Sequence, residues 1–151
     1  DQIMAAGARS VALNLVFDQP SRYGAADDEL LRQVLQRYKG KVTLAALYED
    51  VQMRQGSVQQ LTQPHRQFWT KPISVGSINY PLEADGGIYR FASEYRKLLD
   101  RTSPNKVASE FKGVTVATLS FEQAALTAAG LNASQDKGDR IYFYGPSGTF
   151  E

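Results

Sequence analysis

The chain has 151 residues, 42% of them apolar and 22% charged, which suits one globular domain with a real hydrophobic core. Its net charge of +1 comes from interleaved basic and acidic residues, so neither the basic footprint of a nucleic-acid binder nor a polybasic membrane patch is present. It contains no cysteine, which excludes a disulfide framework, thiol catalysis and thiolate metal sites but leaves the redox compartment open.

In chain order, Ile3-Met4-Ala5-Ala6-Gly7 reads as the last turn of a helix closed by a glycine. The apolar run over residues 10–17 reads as a strand that ends at a carboxylate, Asp18, and a Pro-containing turn. Asp27 and Asp28 open a helix whose apolar positions are Leu30, Leu31, Val34, Leu35 and Tyr38, with Asp27 as its cap. A second apolar run over 42–48 is the next strand. Strand, helix and strand form a β-α-β unit, whose crossover makes the two strands parallel. Parallel sheets bind ligands beyond the carboxyl ends of their strands, which places Asp18 at a candidate site.

The polar segment 49–71 reads either as a solvent-facing hairpin around Gly56-Ser57 or as a loop, with Phe68 and Trp69 anchoring its far end to the core. A third strand is expected over 73–80. Asp85-Gly86-Gly87 supplies a turn, and a returning strand over 88–91 completes an antiparallel hairpin. Residues 120–129 suit an Ala-rich helix with Ser120 as N-cap and Gly130 as stop. Residues 139–144 form the last strand, ended by the turn Gly145-Pro146-Ser147-Gly148. The fold class is therefore α/β: a central mixed sheet with a parallel β-α-β unit and an antiparallel hairpin, with helices packed on the sheet in a single domain. No apolar run reaches the roughly 20 residues needed to cross a bilayer. The start at Asp1 and the strand close to Glu151 suggest a piece of something longer, with a sheet edge left open for pairing.

Candidate chemistry is sparse. Asp18, Asp27, Asp28 and Glu29 are a carboxylate cluster that suits a hard cation or proton transfer; equally, Asp27, Asp28 and Glu29 suit the positive end of a helix dipole. Asn14 stands in an apolar run and needs hydrogen-bond partners if buried. His65 is the only histidine, with no nucleophile motif beside it. No catalytic set, cofactor loop or metal-ligand spacing is read.

Together, Phe17-Asp18, Asp27-Asp28, Gly76 through Asn79, Asp85-Gly86 leading to Arg90, and Tyr144-Gly145-Pro146-Ser147-Gly148-Thr149-Phe150 resemble the pattern of type-two CHASE domains. Tyr89 departs from it, standing where an aliphatic residue is commoner. The resemblance implies the central portion of an extracytoplasmic sensor domain of a bacterial, membrane-tethered receptor with a cyclase or kinase output. It implies a small-molecule ligand; the residues themselves give no sign of a cofactor, a metal or nucleic acid, and the open sheet edge makes a homodimer an expected arrangement. The ligand residues expected are Asn14, Asp18, Asp27, Asp28, Asp85 and Arg90. A carboxylate-dependent hydrolase and a ligand-free dimerisation module are the rival readings.

Overall fold

The computed structural model describes residues 1–89, 119–131, 144–145 and 148–149. A short helix α1 (Gln2–Ala5) ends where Gly7 takes φ 94°. There the N–H groups of Gly7 and Ala8 reach back to the carbonyls of Met4 and Ile3, the paired closure that a left-handed residue permits. Strand β1 (Val11–Leu13), helix α2 (Ala25–Arg37) and strand β2 (Val42–Met53) form the parallel β-α-β unit, with Val11 opposite Val42 and Leu13 opposite Leu44. Strand β3 (Gly56–Thr62) returns antiparallel to β2, with Met53 opposite Gly56 and Leu47 opposite Thr62. Strand β4 (Ser74–Ser77) pairs parallel to β2, and β5 (Leu119–Ser120) pairs parallel to β4 before running into helix α3 (Phe121–Ala128). The described sheet has the order β1-β2-β4-β5, with β3 added to β2. Strands β6 (Tyr144–Gly145) and β7 (Gly148–Thr149) form a separate antiparallel pair, and residues 139–143 of the expected last strand lie outside the described residues.

The two faces of the sheet differ in side-chain size, and this decides how close each helix comes. On one face Val42, Leu44, Ala46, Tyr48, Ile73 and Val75 form a core with Leu35 of α2 and with Leu61 and Phe68; Leu31 and Tyr38 of α2 pack against it. Alternation along the strands sends Thr43, Ala45 and Gly76 to the opposite face. There α3 presents Ala124 and Ala128, both buried, and Ser10 Oγ donates to the carbonyl of Ala125 at 3.4 Å. Small residues on both sides allow α3 to approach closely. Its start is held by a reciprocal cap, in which Ser120 Oγ accepts from Gln123 N–H and Gln123 Oε1 accepts from Ser120 N–H. Its end closes at Gly130 with φ 69°, as the sequence suggested.

Several sequence expectations are revised. The first strand stops at Leu13 rather than continuing to residue 17, and Leu15 is 62% exposed. Beyond residue 46, β2 pairs with β3, which removes the edge β1 would need to continue. Helix α2 begins at Ala25, not at Asp27. Gly24 is its N-cap, with φ 117° and no side-chain cap, and the two alanines that follow are strong helix formers that extend it backwards. The hairpin alternative holds over the loop for the polar segment, but β2 itself runs on to Met53 and the turn lies at residues 54–55, so Gly56 and Ser57 belong to β3 rather than to the turn. The returning strand over 88–91 is not found: Ile88 and Tyr89 lie in no strand, and residues 90–91 lie outside those described. Antiparallel pairing in this sheet is between β2 and β3.

The third strand is shorter than its apolar pattern because a side chain takes over from backbone. Ile78 N–H still donates to Ala46 O at 2.9 Å. One step further, Asn79 Oδ1 accepts from Tyr48 N–H at 2.6 Å, and Asn79 Nδ2 donates to Tyr48 O at 2.8 Å. Ser77 Oγ also donates to Asn79 Oδ1 at 3.1 Å. The amide therefore stands in for one more residue of β4, at the point where β2 passes from the parallel core into the β3 hairpin. Tyr80, the next residue, donates from its hydroxyl to Glu122 Oε2 at 3.0 Å and ties this loop to the start of α3. Burial first, and the Glu122 carboxylate second, push its phenol up to about 12.

Candidate functional site

The loop from β1 to α2 carries the site. After Leu13 the chain leaves the sheet, and Phe17 turns back so that its ring meets that of Phe68 edge-on at 5.9 Å. His65 N–H donates to the carbonyl of Phe17 at 2.7 Å, and the His65 ring also lies against Phe68, at 6.4 Å. This clasp holds the loop away from the N-terminal half of α2 and leaves a cavity of about 570 Å³ between them. That volume is in the range of small-molecule sites. Its inner wall is Phe17, Leu31, Val34 and Phe68, all buried or half-buried. Its outer rim includes Tyr23 and Leu30, which are 81% and 64% exposed.

The polar rim is made by the tight turn into α2. Ser21 N–H donates to Asp28 Oδ1 at 2.8 Å, Tyr23 N–H donates to Ser21 Oγ at 3.1 Å, and Gly24 N–H donates to Ser21 O at 3.3 Å. Asp28 thus fixes the loop from inside the helix, a role different from the dipole partner its position suggests. Asp27 lines the cavity beside it and is exposed.

The remaining candidates do not join them. Asp18 is exposed and does not line the cavity; Asn14 is exposed just past the end of β1, so it is not the buried amide its apolar neighbours suggest. Glu29 is committed along its own helix, accepting from Arg32 at 2.6 and 2.7 Å and from Gln33 at 2.9 Å. Those bonds, Arg32 first, hold its carboxyl down from 4.5 to about 2. Both side chains remain 45% exposed, so solvent screens the pair and it contributes little to stability. Arg32→Ala is expected to raise the Glu29 titration midpoint towards 4.5, read by carboxyl-detected NMR; an unmoved midpoint would show that Arg32 is not its partner.

Asp85 sits in a separate turn. Its Oδ1 accepts from Gly87 N–H and its Oδ2 from the Tyr89 hydroxyl, both at 2.9 Å. The Gly87 bond first, and the Tyr89 bond second, lower its carboxyl below the ordinary range, while the same contact raises the Tyr89 phenol. The unusual aromatic at 89 thereby acquires a physical role, closing the turn that Asp85 begins. Arg90 lies outside the described residues. Among the described residues, no three His, Asp or Glu side chains gather as a metal site, and no helix is long and apolar enough to cross a membrane.

Sequence reading placed Phe68 in the core but missed that it also walls a cavity with Phe17. The one available signal is Leu30, an apolar residue next to the acidic start of α2. It widens the apolar stripe beyond what the sheet covers.

A family model described as CHASE2 domain matches residues 1–148. No curated protein and no solved structure matches the chain significantly.

Proposed function

The chain belongs to the CHASE2 domain family, a family of extracytoplasmic sensor domains in signalling receptors, and from that premise we propose that it is the ligand-sensing region of a bacterial transmembrane receptor whose output is a cyclase or a kinase. The family match over residues 1–148 carries this reading. The cavity under the start of α2 supports it, because it offers a small-molecule site walled mainly by apolar side chains. Hydrolysis by a carboxylate set has less support: Asp18 stands apart from Asp27 and Asp28, Asp28 braces a turn, and Glu29 is held by Arg32. Ligand arrival would act where the loop after β1 and the N-terminal half of α2 face each other. α2 rests on the same core as β2, so a shift of the helix would reach the sheet.

The experiment is a topology assay on the intact protein. Alkaline phosphatase, which is active only outside the cytoplasm, is fused after Glu151, with a cytoplasm-dependent fluorescent reporter at the same place as the converse. High phosphatase and low fluorescence are expected. The opposite pattern would place this domain inside the cell and sink the sensory reading.

A further inference from the structure

The cavity has a chemical bias that its apolar wall alone would not give. Among the described residues that line it, Asp27 and Asp28 are the only charged ones, and no Lys, Arg or His is present. The positive end of α2 offsets about half an elementary charge, against two formal negative charges, so the rim stays negative. Asp28 already accepts a backbone N–H through one oxygen, whereas Asp27 is exposed on the rim. Arg22 is not a lining residue, but its guanidinium lies over the Tyr23 ring at 5.3 Å and donates to the Tyr23 hydroxyl at 3.4 Å; even counted in full with the helix end, its one positive charge leaves the two carboxylates in excess.

We propose that this cavity selects small amphiphilic cations, holding an ammonium or guanidinium group at Asp27 and an apolar or aromatic body against Phe17, Leu31, Val34 and Phe68. A neutral apolar molecule fills the wall but leaves the carboxylates facing solvent. An anion is repelled by the rim, and no cation on the wall compensates for stripping its water. A cation with an apolar body satisfies both parts, since its charge stays at the wet rim while the hydrocarbon leaves water. The proposal deepens the sensory reading above by naming the ligand class of that same cavity.

The test is a charge series of near-isosteric probes on the intact protein: 2-phenylethylammonium, 2-phenylethanol and 3-phenylpropanoate, with affinities from ligand-observed NMR titration. The cation should bind about tenfold more tightly than the alcohol, a difference of about 1.4 kcal/mol, and the anion should bind most weakly. Asp27→Asn should remove most of the cation's advantage while leaving the alcohol's affinity unchanged. Leu30→Lys, which places a positive charge on the exposed rim, should do the same by repulsion. An unchanged melting temperature in both variants excludes misfolding as the cause. The proposal is overturned if the anion or the alcohol equals the cation, if none of the three binds, or if neither variant alters the preference. A reversed preference would refute the ligand class and leave the sensory reading standing. A cytoplasmic result in the topology assay would do the opposite.

Discussion

Gly76→Ala is expected to destabilise the domain by about 3 kcal/mol, seen as a lower urea midpoint at unchanged slope. A Cβ at this position would lie 2.5 Å from Phe121 Cα, 2.7 Å from Ser120 O and 2.8 Å from Phe121 N. These are backbone atoms at the junction of β5 and α3, so no side chain can turn aside to make room. Either α3 lifts from the sheet or β4 separates from β5, and both break the close packing of Ala124 and Ala128. The glycine is required here by proximity rather than by its own backbone angle. A loss of about 3 kcal/mol is a large share of the 5–15 kcal/mol by which domains are stable. A loss below about 1 kcal/mol would mean that the junction yields easily, and the account of this face would fail.

Asn79→Ala should cost about 2–3 kcal/mol, because it leaves both backbone groups of Tyr48 without the amide that now pairs with them. Tyr48 is only 5% exposed, so water replaces that amide poorly. Local consequences should exceed the global one: amide exchange at Tyr48 is expected to rise more than at Leu44, which lies in the fully paired part of β2. Asn79→Asp separates the two halves of the interaction. It keeps the acceptor for Tyr48 N–H but sets an anion against Tyr48 O, which raises the folded-state pKa of the new carboxyl above its unfolded value. The sign follows from linkage: stability is best retained below the unfolded pKa and declines as pH rises through the folded one. A deficit that is flat between about pH 3 and pH 7 would show that the new carboxyl does not face the carbonyl.

These two residues explain in physical terms a spacing that the sequence displays only as Gly-x-x-Asn. Gly76 admits α3 on one face of β4, and Asn79 ends β4 by pairing its side chain where the next backbone residue would sit. The fold thus uses one short strand to position a helix on one side and to release β2 into its hairpin on the other.

The sequence alone determined the class of the fold and the elements whose signals are local. The parallel β1-α2-β2 unit follows from apolar runs separated by a helical stripe, and α3 follows from Ser120, Gln123 and Gly130, because capping is a matter of neighbours in the chain. The turn at Asp85 is legible for the same reason, whereas hairpin and loop stay equally open over 49–71 until β3 pairs with β2. Asp27 and Asp28 were recognisable as a helix start, though not the residue at which the helix begins. The tertiary structure decided everything that depends on which edge or face is free. β1 stops at Leu13 because β3 takes over along β2, Asp18 falls outside the cavity although its neighbours Phe17 and Gln19 line it, and Asp28 braces Ser21 across seven residues. The cavity itself arises from Phe17 meeting Phe68, two rings 51 positions apart whose approach no local pattern encodes. Apolar periodicity says that a residue is to be covered; only the packed chain determines what covers it and where a gap is left.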